Sequence, residues 1–167
     1  KKKVPTIEQL KNILSALRDF DIQIIATYPG HENESDLIKK ILKKEEKNNN
    51  IFNLIKSLGF KRLFNLLPNC SFVIGNSSSG ITETPYFKKP TINIGERQNG
   101  RFFHKSIINS NYQKKQISDS IKKALSKNFN LRIKKMNYLF GGGKSSEKII
   151  KIIKSLKIDQ KFIRKQL

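Results

Sequence analysis

The strongest constraint on the fold is an alternation of short β-branched runs with longer segments whose apolar residues recur every three to four positions. We predict strands at residues 22–28, 51–55, 70–75 and 90–95. We predict helices at residues 7–19, from 35 onwards, and at 60–67, 80–87, 117–125 and 145–156. Strands that alternate with helices are joined by right-handed crossovers and lie parallel. The pattern therefore predicts an α/β fold with a parallel sheet, and 167 residues are enough for one core.

The chain is strongly basic, with 34 Lys and Arg against 13 Asp and Glu and a formal net charge of +21. Such a charge is typical of proteins that bind nucleic acid, because Lys and Arg release counterions from phosphates. However, the lysines are spread through every segment, often beside Asn and Ile, which indicates a general compositional bias. We therefore expect no nucleic-acid partner, and a basic nucleic-acid-binding module remains the alternative from a different functional class.

Composition also bears on membrane association, metal binding and cellular compartment. No apolar run approaches the roughly 20 residues of a membrane span, so we expect no membrane association. The single Cys70 excludes an internal disulfide and agrees with a reducing, cytoplasmic location. Two His and one Cys, far apart, lack metal-ligand spacing, so we expect neither a metal nor a cofactor. The first residue is Lys rather than Met, which suggests a piece of a longer chain.

Small polar residues follow the third predicted strand and lead into the next predicted helix. They are Asn76, Ser77, Ser78, Ser79 and Gly80. Unpaired N–H groups at a helix N-terminus, together with serine hydroxyls, favour a phosphate, and Gly80 leaves no side chain in the way. The segment also stands at the carboxyl end of a strand, where open α/β sheets bind ligands. We therefore predict an anion site, with an ordinary serine- and glycine-rich helix cap as the alternative.

Three charged residues follow at the same predicted sheet edge. Glu83, one turn beyond the serines, is placed to accept hydrogen bonds from the two hydroxyls of a ribose. A carboxylate that merely favours a helix N-terminus is the alternative. Arg97 and Arg101 follow the fourth predicted strand, and guanidinium groups suit phosphate oxygens or a base edge.

Two spaced segments, residues 75–83 and 90–101, resemble the C-terminal half of the UDP-N-acetylglucosamine 2-epimerases. The form Asn-Ile-Gly-x-Arg-Gln-x-Gly-Arg in the second is similar to their hydrolysing branch. That branch releases N-acetylmannosamine and UDP for sialic-acid and legionaminic-acid type sugars. The resemblance implies a Rossmann-like three-layer domain with a parallel sheet, the C-terminal half of a glycosyltransferase-B-type two-domain fold, in a full-length homodimer.

The resemblance also implies roles for individual residues. Ser77 and Ser78 would bind the diphosphate of UDP or UDP-N-acetylglucosamine, and Glu83 would bind the ribose. Arg97 would lie in the nucleotide site, whereas Arg101 matches the motif without a defined contact. Whether the base is uracil or guanine is left open, and a glycosyltransferase of the B type remains a second enzymatic alternative.

Catalysis is expected elsewhere in the full-length protein. The family's acidic catalytic residues belong to an N-terminal domain, so residues 1–167 are expected to form a single nucleotide-binding C-terminal domain without it. Residues 145–167 are expected to form a helical segment that packs toward that domain. His31 resembles a cleft histidine of the non-hydrolysing relatives, with a solvated loop histidine as the alternative. We expect the chain alone to bind UDP weakly and not to turn over.

Overall fold

The computed structural model describes residues 5–30 and 34–156. The chain divides into two compact units, the first ending at Asn137 and the second beginning at Tyr138. His31, the candidate cleft residue, lies outside the described residues, as do residues 157–167 of the expected C-terminal segment. The expected assignment of the whole chain to one domain stays a prediction.

The first unit contains five strands and six α-helices among its described residues. The strands are β1 (Ile24–Thr27), β2 (Phe52–Ile55), β3 (Val73–Gly75), β4 (Thr91–Ile94) and β5 (Ile107–Ser110). The helices are α1 (Thr6–Leu17), α2 (Ser35–Asn48), α3 (Gly59–Leu66), α4 (Ser79–Thr82), α5 (Lys114–Leu125) and α6 (Lys127–Lys134). Two 3₁₀ turns, Leu67–Asn69 and Thr84–Phe87, follow α3 and α4.

All strand pairs in the described residues are parallel, as the sequence predicts. β1 pairs with β2, while β4 lies between β3 and β5, with Gly75 opposite Asn93. The strands therefore form two hydrogen-bonded sheets rather than the single predicted sheet. Side-chain packing connects them, since Ile24 of β1 and Ile92 of β4 contact the same apolar cluster. Parallel strands alternating with helices make this a Rossmann-like α/β fold.

The core forms where helix faces cover the larger sheet. In α5, Ile117, Ile121 and Ala124 are fully buried, and their three- and four-residue spacing puts them on one side of the helix. They pack against β4, whose four residues are all buried, as expected for a central parallel strand. Burying each large aliphatic side chain contributes roughly 1.5–3 kcal/mol before entropy costs. This packing fixes the position of β4, which leads into the segment that carries Arg97 and Arg101.

The structure corrects three elements of the sequence prediction. The predicted helix over residues 80–87 is only the four-residue α4 followed by the 3₁₀ turn, because Pro85 has no N–H for an α-helical hydrogen bond. β5 was not predicted, since it has only two apolar residues and is defined by its pairing with β4. α6 was also missed; Ser126 caps it by accepting a hydrogen bond from the Phe129 N–H at 3.4 Å.

The second unit contains α7 (Ser145–Ser155), close to the predicted bounds. Its apolar residues lie on one side of the helix, and every described side chain from 139 to 156 is exposed. The apolar side consists of Ile149, Ile150, Ile152 and Ile153. Of the helices in residues 5–30 and 34–156, none is both long and apolar enough to cross a membrane.

Candidate functional site

The serine loop, residues 76–78, connects β3 to α4 at the carboxyl end of the larger sheet. Its three side chains are exposed. The turn is held internally, since the Ser77 hydroxyl accepts from the Ser79 N–H at 3.3 Å and the Ser77 carbonyl accepts from the Gly80 N–H at 3.2 Å. Within the described ranges, the N–H groups of Ser77 and Ser78 make no hydrogen bond. The loop therefore presents donors for a ligand.

The length of α4 changes the expected source of anion affinity. An α-helix attracts an anion through the summed dipoles of its aligned peptides. α4 has only four residues, so its dipole contributes far less than that of a long helix. The affinity of this loop for an anion must come mainly from individual N–H and hydroxyl donors.

Gly80 packs closely against the neighbouring strand. It is buried, and a Cβ there would lie 2.8 Å from Thr91 Cγ2 in the neighbouring strand β4. The Thr91 hydroxyl donates to the Gly80 carbonyl at 2.7 Å. The absence of a Cβ at Gly80 therefore lets α4 lie directly on β4.

The arginine loop, residues 95–101, follows β4. Two short turns hold it, with the Asn99 N–H donating to the Glu96 carbonyl at 2.9 Å and the Arg101 N–H donating to the Gln98 carbonyl at 3.2 Å. Its start is fixed by Asn93, whose buried amide donates to Asn109 Oδ1 at 2.9 Å and to the Gly95 carbonyl at 3.4 Å.

Asn76 joins the two loops. Gln98 Nε2 donates to the Asn76 carbonyl at 2.6 Å, and Arg97 Nη1 donates to Asn76 Oδ1 at 3.5 Å. The structure therefore brings Arg97 to the serine loop, as the parallel pairing of β3 and β4 predicts. Arg101 is exposed, and among the described residues no hydrogen bond or ion pair links its side chain to the serine loop.

Two buried side-chain oxygens lack a partner, one just after α4 and one in the arginine loop. Among the side-chain atoms of the described residues, only Glu83 Oε2 and Gln98 Oε1 are buried without a hydrogen-bond partner. Leaving a buried acceptor unpaired costs about 1–3 kcal/mol, so each of these oxygens favours a donor such as an ordered water. Glu83 follows α4 directly, one turn beyond Ser79, whose carbonyl accepts its N–H at 2.9 Å.

Sequence reasoning missed the contribution of Gln98. It belongs to the recognised motif, but the patterns that identified Arg97 and Glu83 rest on charge, and Gln98 has none. Its burial, at 4% exposure, and its contact with Asn76 appear only in the folded chain.

A metal site receives no support from side-chain clustering. The part of the chain that the structure describes has no group of three or more His, Cys, Asp or Glu residues suited to a metal ion. Cys70 lies before β3, and burial raises the pKa of its thiol, with Lys89 opposing the shift. A thiol with a raised pKa is a poor nucleophile near neutral pH.

The motifs and their geometry agree with a comparison against known families. Residues 1–154 match the family described as UDP-N-acetylglucosamine 2-epimerase. The chain belongs to this family. A UDP-N-acetylglucosamine 2-epimerase of Neisseria meningitidis serogroup B is 37% identical over 103 residues, which cover 62% of this chain and 27% of that protein.

Two further relatives have names that specify hydrolysis. The GDP/UDP-N,N'-diacetylbacillosamine 2-epimerase (hydrolyzing) of Campylobacter jejuni is 37% identical over 107 residues, covering 63% of this chain and 28% of the relative. The UDP-N,N'-diacetylbacillosamine 2-epimerase (hydrolyzing) of Legionella pneumophila is 27% identical over 157 residues, covering 94% of this chain and 40% of the relative. The matched part is thus between about a quarter and two fifths of each of the three relatives.

Proposed function

We propose that this chain is the nucleotide-binding half of a hydrolysing UDP-N-acetylglucosamine 2-epimerase, which forms N-acetylmannosamine and UDP. The observation that carries the proposal is the meeting of the serine loop and the arginine loop at Asn76, where two parallel strands end. The relatives named as hydrolysing epimerases support the branch. The same chemistry would serve a sialic-acid or legionaminic-acid type pathway.

The serine loop would hold the diphosphate. The N–H groups of Ser77 and Ser78 point to no acceptor in the described protein and are suited to phosphate oxygens. The exposed Ser78 hydroxyl adds a donor, while Asn76, Ser79 and the Gly80 backbone shape the turn. A phosphate bound here would receive several charge-assisted hydrogen bonds without any metal ion.

Glu83 and Arg97 would complete the nucleoside diphosphate site. The unpartnered Oε2 of Glu83 is suited to a ribose hydroxyl, which donates a hydrogen bond to a carboxylate. Arg97, beside Asn76, would place its positive charge near the diphosphate. Arg101 would supply a second exposed cation on the same loop. The uncharged sugar would then extend away from this surface, toward residues outside the chain.

The bond-breaking groups would lie outside residues 1–167. In this scheme the full-length enzyme eliminates UDP and then hydrates the glycal-like intermediate, and proton transfer at the sugar C2 falls to acidic residues of an N-terminal domain. Such a group must come within hydrogen-bond reach of the sugar. Residues 145–167 would pack toward that domain, which agrees with the exposed isoleucines of α7. The full-length protein would be a cytoplasmic homodimer without nucleic-acid or membrane partners.

Calorimetric titration with UDP tests the binding site. We expect weak but measurable binding by the chain, and at least a tenfold loss when Ser77→Ala, Ser78→Ala and Glu83→Ala are combined. The three changes remove the Ser77 hydroxyl that holds the turn, the exposed Ser78 hydroxyl and the Glu83 acceptor, while the backbone donors remain. Ser71→Ala is the matched control, since Ser71 is exposed and precedes the opposite end of β3. Equal heats from the wild type and the triple variant would refute the site. A parallel titration with GDP tests whether uracil is the preferred base.

Assay of UDP release from UDP-N-acetylglucosamine tests the division of labour. We expect no turnover by residues 1–167 alone, and UDP release once a full-length protein supplies the remaining part. N-acetylmannosamine as the sugar product would identify the hydrolysing branch. Turnover by the chain alone would show that it contains its own catalytic groups.

A further inference from the structure

Gln98 is the most buried polar side chain at the junction of the two loops. It is 4% exposed, although it lies between two exposed residues, Arg97 and Asn99. Its backbone is fixed by the turn in which the Gln98 carbonyl accepts from the Arg101 N–H. A buried amide on a surface loop costs free energy unless it is hydrogen bonded, so its contacts need an explanation.

One half of the Gln98 amide is bonded and the other is not. Nε2 donates to the Asn76 carbonyl at 2.6 Å, across 22 residues of sequence, while Oε1 has no partner among the described residues. The acceptor is a carbonyl, so the orientation of the amide is fixed by this bond. Gln98 thus holds the serine loop through one atom, the carbonyl oxygen of Asn76.

Holding that carbonyl also directs the next N–H. The carbonyl of Asn76 and the N–H of Ser77 belong to one planar peptide unit, and in the trans form they point in opposite directions. No cis peptide bond occurs among the described residues. The bond from Gln98 draws the Asn76 carbonyl toward the protein interior, so the Ser77 N–H points away from Gln98. This N–H is one of those left without an acceptor in residues 5–30 and 34–156.

We propose that Gln98 is the positioning residue of the phosphate site, which holds the Asn76–Ser77 peptide so that the Ser77 N–H faces a phosphate of the nucleotide. The inference rests on the proposed function and adds to it a residue that touches neither phosphate nor sugar. Preorganising a donor before the ligand arrives increases affinity, because the loop is already ordered. The same bond explains why a Gln on an exposed loop is buried.

The first test compares UDP with uridine on Gln98→Met, which keeps the side-chain length and removes the amide. UDP affinity by calorimetry should fall about tenfold, as for the loss of a well-directed hydrogen bond to a charged group. Uridine has no phosphate, so its affinity by ligand-observed NMR should not change. Gln116→Met is the matched control, since Gln116 is exposed on α5. An equal loss for both ligands would indicate general loosening and overturn the proposal.

The second test uses Gln98→Glu and does not require Gln98→Met to fold. An ionised carboxylate repels the Asn76 carbonyl, whereas a protonated one can donate to it. Relative to the wild type at each pH, UDP binding by this variant should therefore recover as the pH falls and the new carboxyl becomes protonated. A constant ratio across pH would overturn the positioning role. A UDP affinity equal to that of the wild type in either variant would also overturn the positioning role, while leaving the proposed UDP site intact. Absence of UDP binding by the wild type would refute both proposals.

Discussion

Replacement of Gly95 by Ala tests how the arginine loop begins. Gly95 has φ +74°, a left-handed conformation that costs a residue with a Cβ about 1–2 kcal/mol. An added Cβ would also overlap the hydroxyl oxygen and Cζ of Tyr112. The Tyr112 ring, which is half-buried against the core cluster, would therefore have to move to make room for the Cβ.

The expected destabilisation is the sum of the backbone cost at Gly95 and the cost of displacing the Tyr112 side chain. Displacing a packed side chain by overfilling costs about 1–3 kcal/mol, and the backbone term brings the total for Gly95→Ala to about 3 kcal/mol. For a chain of this size, each kcal/mol lowers the midpoint of thermal unfolding by about 2–4 °C, so we expect a decrease of roughly 10 °C. Circular dichroism during heating, together with urea unfolding, measures both quantities.

Gly100→Ala separates the backbone cost from the packing cost. Gly100 also has a positive φ, +83°, but a Cβ there meets nothing within 4 Å, so only the backbone cost of about 1–2 kcal/mol applies. In a Tyr112→Leu background, Gly95→Ala should cost no more than Gly100→Ala. Equal destabilisation by the two glycine substitutions in the wild-type background would refute the role assigned to Tyr112.

Three further predictions concern the packing that supports the site. Gly80→Ala should cost about 1–3 kcal/mol in urea unfolding, and Thr91→Ser should recover most of it, because the serine lacks the methyl that lies 2.8 Å from the new Cβ but keeps the hydroxyl. Arg18→Met should destabilise by about 3 kcal/mol, because it leaves the buried Glu45 carboxylate without its cation. Glu45→Gln should cost only about 1 kcal/mol, because the guanidinium that it leaves is exposed, and equal costs would contradict this asymmetry. The hydrogen bond from Arg18 lowers the pKa of Glu45 below its ordinary value, so the ion pair stabilises the fold fully above the ordinary pKa of a Glu carboxyl. As the pH falls through the lowered pKa this stabilisation is lost, and the difference between wild type and Glu45→Gln should narrow when urea unfolding is measured from pH 7 to pH 3.

Much of the fold was predictable because it depends on local pattern. The spacing of Ile117, Ile121 and Ala124 defines the buried face of α5. The uninterrupted burial of β4 agrees with the prediction of a strand between Pro90 and Gly95. β5 was missed because two apolar residues are too few for a strand signal without its pairing partner. The predicted helix over residues 80–87 is longer than α4, because Pro85 lacks the N–H that a continued α-helix would need.

The sequence predicts which loops meet at this sheet edge, but not the hydrogen bonds that join them. Parallel strands place their carboxyl ends at one edge, so Asn76 and Arg97 were expected to lie near each other, and they do. The bond between Gln98 and Asn76 was not predictable, since neither charge nor periodicity marks a buried Gln. The packing reason for Gly80 depends on Thr91, eleven residues away in an adjacent strand.

A crystal structure of the chain grown with saturating UDP tests the central claim most directly. The account predicts the diphosphate within about 3 Å of the Ser77 and Ser78 N–H groups, a ribose hydroxyl at a similar distance from Glu83 Oε2, and the Arg97 guanidinium beside a phosphate. UDP bound at another surface, or no UDP bound while the serine loop keeps the same conformation, would contradict it.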